Sequence, residues 1–370
     1  MSIVCVRTSA ADIVPQMFPS LILWNIDMPA QPLSSPVAAG DVIAIPLQSG
    51  EIAAWRLSDR SPAWTAKLPI QGPLASANDR IIVQTKDSIV ALAAATGKPV
   101  WTVTVGSLTA PILARGGWVV VATAEELTAF RLTDGAKVWG QSFGQIERRP
   151  SIEGDRLYVP IADGRLLALD LESGILRWTR QLGGPPTEAL AFADRVYLGA
   201  GSNFFCLRTR DGVIDWRWTI GTPLVGLPAA DAENVYMTAM DNLLRALDRV
   251  SGNGRWKADL GHRPESGPVV IGSTVAVPGR AAGIRGFDTK TGRPAVRLAL
   301  PDQMIVQPIF FTGPEGRQLV AAVTANLKGE NRLTLAGSVT PFMPIAPLMT
   351  LPGTALKTLT QTSPAKKPGQ

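Results

Sequence analysis

Cysteine and histidine are nearly absent from the sequence. Cys5 and Cys206 are the two cysteines, and His262 is the one histidine among 370 residues. A structural zinc site takes four Cys or His ligands, and a disulfide framework takes several cysteine pairs. We therefore predict no metal site and no disulfide scaffold.

Long apolar runs and dense clusters of one charge are also missing. Without an apolar run of about 18 residues, no transmembrane segment is predicted. Residues 1–20 hold no basic segment followed by an apolar one, so no signal peptide is expected there. The net charge of +6 is spread along the chain, and the compact basic spots Arg148–Arg149 and Lys366–Lys367 lack interleaved aromatics. Nucleic-acid binding is therefore not expected, whereas a weakly cationic face would favour an anionic membrane surface or an acidic partner.

Tryptophan, by contrast, recurs at nearly constant intervals. Seven tryptophans form the series: Trp24, Trp64, Trp101, Trp139, Trp178, Trp216 and Trp256. One further step of the same length reaches Val296. A fixed period of about 40 residues is the signature of a repeat architecture.

Other positions keep the same period. Glycine stands four residues before the anchor in six repeats, after Asp, Thr or Ser, and Arg60 interrupts this series. Such a pair between two apolar runs indicates a hairpin turn. Two more short apolar runs precede each hairpin, as at Arg156–Val159 and Ser151–Ile152. Four antiparallel strands in about 40 residues are typical of a propeller blade.

The recurring tryptophans are interpreted as structural docking residues. A large flat ring on an outer strand can cover the edge of the neighbouring blade. Ten residues earlier the chain carries a small residue, such as Ala168 or Gly286, which permits close packing of sheets. A stacking surface for sugars or bases is the alternative, and the strict period favours the structural role.

The repeats predict an all-β fold, an eight-bladed propeller of four-stranded antiparallel blades. Seven complete units end near Leu300, and three further strands are expected at Val306–Phe310, Gln318–Ala325 and Arg332–Leu335. The missing strand lies at Leu23–Pro29, so the N-terminal strand is predicted to complete the C-terminal blade. We assign 1–20 to an N-terminal extension, 21–340 to the propeller, and 341–370 to a partly disordered tail containing Pro and Lys.

The segment Ala168–Trp178 resembles the tryptophan-docking repeat of pyrroloquinoline-quinone (PQQ)-type propellers. Ala246–Trp256 and Gly286–Val296 resemble it too, with Asp248 and Asp288. One branch of this superfamily contains quinoprotein dehydrogenases, which hold PQQ and calcium on the axis, beside a catalytic Asp and often a disulfide of adjacent cysteines. The present sequence has no adjacent cysteines and has short loops, so PQQ is not expected. A PQQ-dependent oxidoreductase, or another small-ligand-binding propeller, remains the alternative.

The overall plan is similar to the second branch, the BamB family of outer-membrane assembly factors. That resemblance implies a non-catalytic scaffold, a monomeric propeller within a complex, with a protein partner and a cell-envelope location. Catalytic, cofactor and metal residues are not predicted. Loops entering central blades contact the partner in that family, and the candidate contact residues here are Arg148, Arg149, Arg263 and Glu265. Solvated loop charges are the alternative for each of them.

Overall fold

The computed structural model describes residues 21–279 and 283–337. Within these ranges the chain forms 33 β-strands and one short 3-10 turn, Pro314–Gly316. The strands are grouped in eight antiparallel sheets. This arrangement confirms the predicted eight-bladed propeller. The predictions for residues 1–20 and 341–370 lie outside the described residues and stay predictions.

The strands follow the chain blade by blade, and only the first strand departs from this order. Strand β1 (Leu21–Asp27) belongs to the last blade. The next sixteen strands form blades 1 to 4: β2 (Val37–Ala39), β3 (Val42–Pro46), β4 (Glu51–Arg56), β5 (Pro62–Lys67); β6 (Ala75–Ala77), β7 (Arg80–Gln84), β8 (Ser88–Ala93), β9 (Pro99–Thr104); β10 (Leu113–Arg115), β11 (Trp118–Ala122), β12 (Leu127–Arg131), β13 (Lys137–Gln141); β14 (Ser151–Glu153), β15 (Arg156–Pro160), β16 (Arg165–Asp170), β17 (Leu176–Gln181).

Blades 5 to 7 repeat the same four-strand order. Their strands are β18 (Leu190–Phe192), β19 (Arg195–Ala200), β20 (Asn203–Arg208), β21 (Ile214–Thr219); β22 (Leu224–Ala230), β23 (Asn234–Ala239), β24 (Leu243–Asp248), β25 (Gly254–Asp259); β26 (Val269–Ile271), β27 (Thr274–Val277), β28 (Gly283–Asp288), β29 (Pro294–Ala299). Blade 8 contains β30 (Gln303–Met304), β31 (Ile309–Thr312), β32 (Gln318–Ala325), β33 (Asn331–Gly337) and β1.

Each blade has two ends, which define two faces of the ring. We call the four strands of a blade a to d from the channel outward. Antiparallel order puts the a–b and c–d turns at one end and the b–c turns and blade-to-blade connections at the other. In blade 4 the first set is 154–155 and 171–175, and the second is 161–164 and 142–150. The first set defines the hairpin face, and the second defines the loop face.

The N-terminal strand closes the ring, as predicted. Strand β1 pairs with β33 from Leu21↔Gly337 to Asp27↔Arg332. The Arg332 guanidinium also forms an ion pair with Asp27 at 3.0 Å, and the Met28 amide donates to the Asn331 carbonyl at 2.8 Å. Blade 8 is therefore assembled from both ends of the described chain, which leaves the ring without an open edge between blades.

The innermost strand of blade 8 differs from the prediction. The predicted single strand Val306–Phe310 coincides with the structure only at Ile309–Phe310, because this part of the blade is divided into β30 and β31, which pair separately with β32. Pro308 lies in the interruption, and proline has no backbone N–H for a ladder hydrogen bond. The predicted strand Gln318–Ala325 coincides with β32, and the predicted strand Arg332–Leu335 lies within β33.

The hydrophobic core is divided among the joints between adjacent blades. In the joint between blades 3 and 4, Val120 and Ala129 pack with Leu157 and Leu169. These residues come from the central b and c strands, whose burial is nearly complete. Each blade thus buries one face against each neighbour, which is why a single blade has no core of its own.

A tryptophan bridges seven of the eight joints. Each of the seven indoles lies on a d strand, and its Nε1 donates to a main-chain carbonyl in the c–d turn of the next blade. The pairs are Trp24–Leu57 (3.4 Å), Trp64–Ala94 (2.7 Å), Trp101–Leu132 (2.8 Å), Trp139–Leu171 (2.8 Å), Trp178–Thr209 (2.8 Å), Trp216–Arg249 (3.4 Å) and Trp256–Thr289 (2.9 Å). Each of these hydrogen bonds joins the d strand of one blade to the c–d turn of the next.

The recurring glycine of the c–d turn touches the docked ring. At Gly174 φ is +70°, and an added Cβ would lie 2.7 Å from Cδ2 of Trp139. The other five glycines of the series meet the preceding tryptophan in the same way. Arg60 takes this turn position in blade 1 and adopts φ 59°, so the turn geometry persists without glycine.

The joint between blades 7 and 8 has valine at the anchor position, and closure explains why. In the other joints the indole docks on a c–d hairpin of the following blade. In blade 8 the c and d strands are β33 and β1, which come from opposite ends of the chain and share no hairpin. An indole at position 296 would have no such turn to dock on. The missing tryptophan is thus a consequence of how the ring closes.

Candidate functional site

The loop face carries all four residues predicted to contact a partner. Arg148 and Arg149 lie in the connection from blade 3 to blade 4, and both side chains are exposed. The Arg149 guanidinium forms an ion pair with Glu188 of the next connection at 3.3 Å. Arg148 therefore presents its charge to solvent, and Arg149 shares its charge with a neighbouring carboxylate.

Arg263 and Glu265 lie in the connection from blade 6 to blade 7. The Arg263 guanidinium lies at the surface, 3.1 Å from the Met240 sulfur. Glu265 borders a cavity of about 270 Å³ between blades 7 and 8, whose lining includes Met304 and Pro308. The two predicted pairs share one face but lie in different joints, and no contact connects them among the described residues.

A bulge in the inner strand of blade 6 reaches the centre of the ring. Strand β22 pairs normally at Val225↔Thr238 and then resumes at Ala229↔Tyr236, so residues 226–228 have no partners in the ladder. Leu227 lines a cavity of about 200 Å³ together with Leu113 of blade 3, Ser151 of blade 4 and Ala189 of blade 5. Leu227 therefore projects into the central channel on the side of blades 3 to 5.

Two glycines hold this bulge in place. Gly226 adopts φ +70°, and an added Cβ would lie 2.0 Å from the Gly267 nitrogen. A Cβ on Gly267 would lie 1.8 Å from the Leu227 carbonyl oxygen. Only residues without side chains permit this crossing of backbones. Sequence reasoning missed the bulge, although the interval from Trp216 to Trp256 is one of the two longest in the tryptophan series.

The acidic residues of the b–c and c–d turns are committed to local hydrogen bonds. The Asp163 carboxylate accepts from the Arg165 guanidinium and amide, and the Asp241 carboxylate pairs with Arg245. The Asp211 carboxylate accepts from the Val213 amide at 3.1 Å. These bonds lower the pKa of all three aspartates. The carboxylates therefore stay ionised and support their turns.

Within residues 21–279 and 283–337, no three His, Cys, Asp or Glu side chains cluster closely enough to hold a metal ion. No helix in the same part of the chain is long and apolar enough to cross a membrane.

Comparison with known proteins identifies the family. The family model of the outer membrane protein assembly factor BamB matches three overlapping segments, residues 48–242, 183–304 and 240–330. The chain belongs to the BamB family. This result confirms the resemblance inferred from the tryptophan-docking repeats.

Curated relatives of the BamB family match at low identity. The chain is 25% identical over 233 residues to BamB of Yersinia pestis, covering 54% of this chain and 56% of that protein. It is 21% identical over 252 residues to BamB of Moranella endobia, covering 62% and 65%. A Streptomyces griseus serine/threonine-protein kinase, AfsK, is 29% identical over 176 residues, which cover 42% of this chain and 21% of the kinase. The matches to these three relatives thus span less than two thirds of each relative's length.

Solved structures share the fold. BamB from Moraxella catarrhalis superposes with a TM-score of 0.66 at 20% identity, covering 86% of this chain and 99% of that one. A europium-containing methanol dehydrogenase gives a TM-score of 0.65 at 14% identity, covering 86% and 93%. At these identities the likeness concerns the propeller architecture, which hosts both binding proteins and enzymes.

Proposed function

We propose that this BamB-family chain is a non-catalytic, protein-binding scaffold that acts in outer-membrane protein assembly. Its loop face is the proposed binding surface, with Arg148, Arg149, Arg263 and Glu265 among the contact residues. The hairpin face holds the turns on which the indoles dock, so that face is committed to structure. The loop face carries connections whose side chains are free of that task.

The observation that carries the proposal is the bulge of β22. An axial cofactor of the quinoprotein kind needs an open central pocket on the propeller axis. Leu227 projects into the channel on the loop-face side, where it lines a cavity with residues of blades 3 to 5, and the Gly226–Gly267 crossing holds it there. A side chain that occupies part of the axial channel favours binding by the rim of loops over binding on the axis.

Site-specific photo-cross-linking in the source bacterium tests the proposal. A photoreactive amino acid at position 148 lies on the loop face, and one at position 175 lies in the c–d turn of blade 4 on the hairpin face. Ile175 is exposed, so it is a matched control for accessibility. We expect position 148 to cross-link to a component of the outer-membrane protein assembly machinery and position 175 to give no such product.

Two other results would contradict the scaffold function. If neither position 148 nor position 263 cross-links to any assembly component, the scaffold role fails. A parallel titration of the purified chain with PQQ and calcium, followed by dye reduction, tests the oxidoreductase alternative. Dye reduction that depends on added PQQ would favour an enzyme over a scaffold.

A further inference from the structure

The joint between blades 5 and 6 shows how the ring neutralises an arginine on a c strand. Arg245 is 9% exposed, and both of its terminal nitrogens pair with the Asp241 carboxylate. Its guanidinium lies over the Trp218 ring, 5.9 Å from the ring centroid. A carboxylate and an aromatic face together satisfy this side chain, which faces Lys257 across the strands.

The joint between blades 6 and 7 repeats the arginine without these two partners. One repeat after Arg245 stands Arg285, directly opposite Arg297 in the ladder. The positions equivalent to Trp218 and Asp241 are both alanine in this repeat, Ala258 and Ala281. The sequence has thus lost the ring and the carboxylate together while it has kept the arginine.

The Arg285 side chain is exposed as a result. Its guanidinium donates to the Leu260 carbonyl at 2.6 Å and lies 6.0 Å from the ring centroid of Phe287 on its own strand. Among the residues that the structure describes, no carboxylate pairs with Arg285 or with Arg297. The charge of Arg285 therefore keeps an open side toward solvent.

Two like charges directly opposite each other across a ladder destabilise a sheet unless something neutralises them. In blade 6 the neutralising group is Asp241, from the same chain. In blade 7 the described chain supplies none. A bound anion would satisfy both guanidinium groups at once, since each offers several donors in a fixed plane.

A cavity adjoins the uncovered arginines. It measures about 560 Å³, and its walls include Gly261, His262, Arg285, Pro294 and Arg297. This volume falls in the range of about 300–1,000 Å³ typical of ligand sites. The His262 Nδ1 donates to the Leu260 carbonyl at 2.9 Å, which fixes the imidazole in the wall. Gly261 and His262 place one end of the cavity on the loop face, next to Arg263 in the sequence.

We propose that this cavity binds a segment of the protein partner that presents an aromatic ring beside a carboxylate. This proposal rests on the scaffold function above. The carboxylate takes the place of Asp241 between the two arginines. The ring takes the place of Trp218 and covers the open side of the Arg285 guanidinium. In the joint between blades 5 and 6, Asp241 and Trp218 of the same chain make these contacts with Arg245. In the next joint, the partner provides them.

His262 makes the test direct, because it is the chain's one histidine and lies in the cavity wall. Protein labelled with ¹⁵N-histidine, purified without a histidine tag, gives one imidazole spin system. The probe is N-acetyltryptophan, which carries an indole and a carboxylate. We expect its titration to shift the His262 signal, with millimolar affinity. N-acetyltryptophanamide lacks the carboxylate and N-acetylglycine lacks the ring, so both should bind at least about tenfold more weakly.

Four variants locate the probe. Arg285→Gln and Arg297→Gln should each weaken binding about tenfold or more, since each removes a charge-assisted partner. Ala258→Trp should block binding, because it restores the ring that Trp218 of blade 5 supplies to the preceding joint. Arg293→Gln alters an exposed arginine in the c–d turn of the same blade and should leave the affinity unchanged. Circular dichroism and melting temperature check that every variant is folded.

The proposal is overturned if the probe leaves the His262 signal unmoved up to about 10 mM. It is also overturned if folded Arg285→Gln and Arg297→Gln proteins bind the probe as tightly as the parent. Equal binding of N-acetylglycine or inorganic phosphate would indicate a general anion site and contradict the aromatic half. These outcomes leave the cross-links from position 148 unaffected, so a failure of this site is distinguishable from a failure of the scaffold function.

Discussion

At the scale of single residues, the glycine found in six of the c–d turns meets two demands at once. It adopts a positive φ, and it lies against the indole of the preceding blade. The sequence predicts the first demand from the Asp-Gly, Thr-Gly and Ser-Gly pairs. It gives no hint of the second, because the indole belongs to the preceding repeat and is distant along the chain.

Replacing Gly174 by alanine separates the two demands. Alanine at a left-handed position costs about 1–2 kcal/mol, and the Cβ must also displace the Trp139 ring, which adds about 1–3 kcal/mol. Gly154→Ala is the matched control, because Gly154 has φ +59° with no atom within 4 Å of the added Cβ. Urea unfolding should show the larger loss of unfolding free energy for Gly174→Ala. Equal losses would mean that the turn–indole contact contributes nothing.

The tyrosines pack beside the docking tryptophans at the joints between blades. The chain's three tyrosines, Tyr158, Tyr197 and Tyr236, are buried beside the tryptophans of their own blades. The hydroxyl of Tyr197 donates to the Arg249 carbonyl at 3.0 Å, the same oxygen that accepts from Trp216. Burial raises the pKa of Tyr158 to about 12 and raises the pKa of the other two as well.

These shifts predict a loss of stability at alkaline pH. Below about pH 10 the phenols are protonated in both the folded and the unfolded chain. Between about pH 10 and 12 the unfolded chain releases the Tyr158 proton and the native chain keeps it, so unfolding becomes more favourable by up to about 1.4 kcal/mol per pH unit for that residue. Urea unfolding at about pH 8 and pH 11 measures this slope, and Tyr158→Phe should make it shallower. An unchanged slope in that variant would contradict the assignment.

At the scale of the element, strand β1 carries two functions in one short segment. Its backbone completes the sheet of blade 8, and Trp24 docks on the c–d turn of blade 1. The strand also explains the valine at position 296, because a blade split between chain ends has no c–d hairpin. One element therefore determines both how the ring closes and where its one joint without an indole lies.

Deleting residues 1–28 should open the ring. The deletion removes the outer strand of blade 8 and exposes the edge of β33, together with the apolar cluster that includes Leu335 and Ile43. We expect a large fall in melting temperature and a tendency to associate through the bare edge. Deletion of residues 1–20, which retains β1, is the control. A 1–28 deletion that melts like the control would refute closure by this strand.

At the scale of the whole molecule, the sequence predicts whatever repeats with the period of the blade. The eight blades, the docking tryptophans and the closure by Leu23–Pro29 all follow from recurring positions. The features that distinguish one blade from the others do not repeat. The Leu227 bulge depends on two glycines that belong to successive blades. The open arginine pair of blade 7 is recognised only by comparing its three-dimensional neighbours with those of blade 6.

The proposed scaffold function requires that the ring binds proteins of outer-membrane assembly. Affinity isolation of the chain from cell envelopes of its source organism, followed by mass spectrometry, measures that binding. We expect a stoichiometric complex with components of the outer-membrane protein assembly machinery. The loop-face variant Arg148→Glu/Arg263→Glu should lose that complex while its melting temperature is unchanged. Recovery of the chain alone, with PQQ bound and dye reduction intact, would rule out the scaffold function.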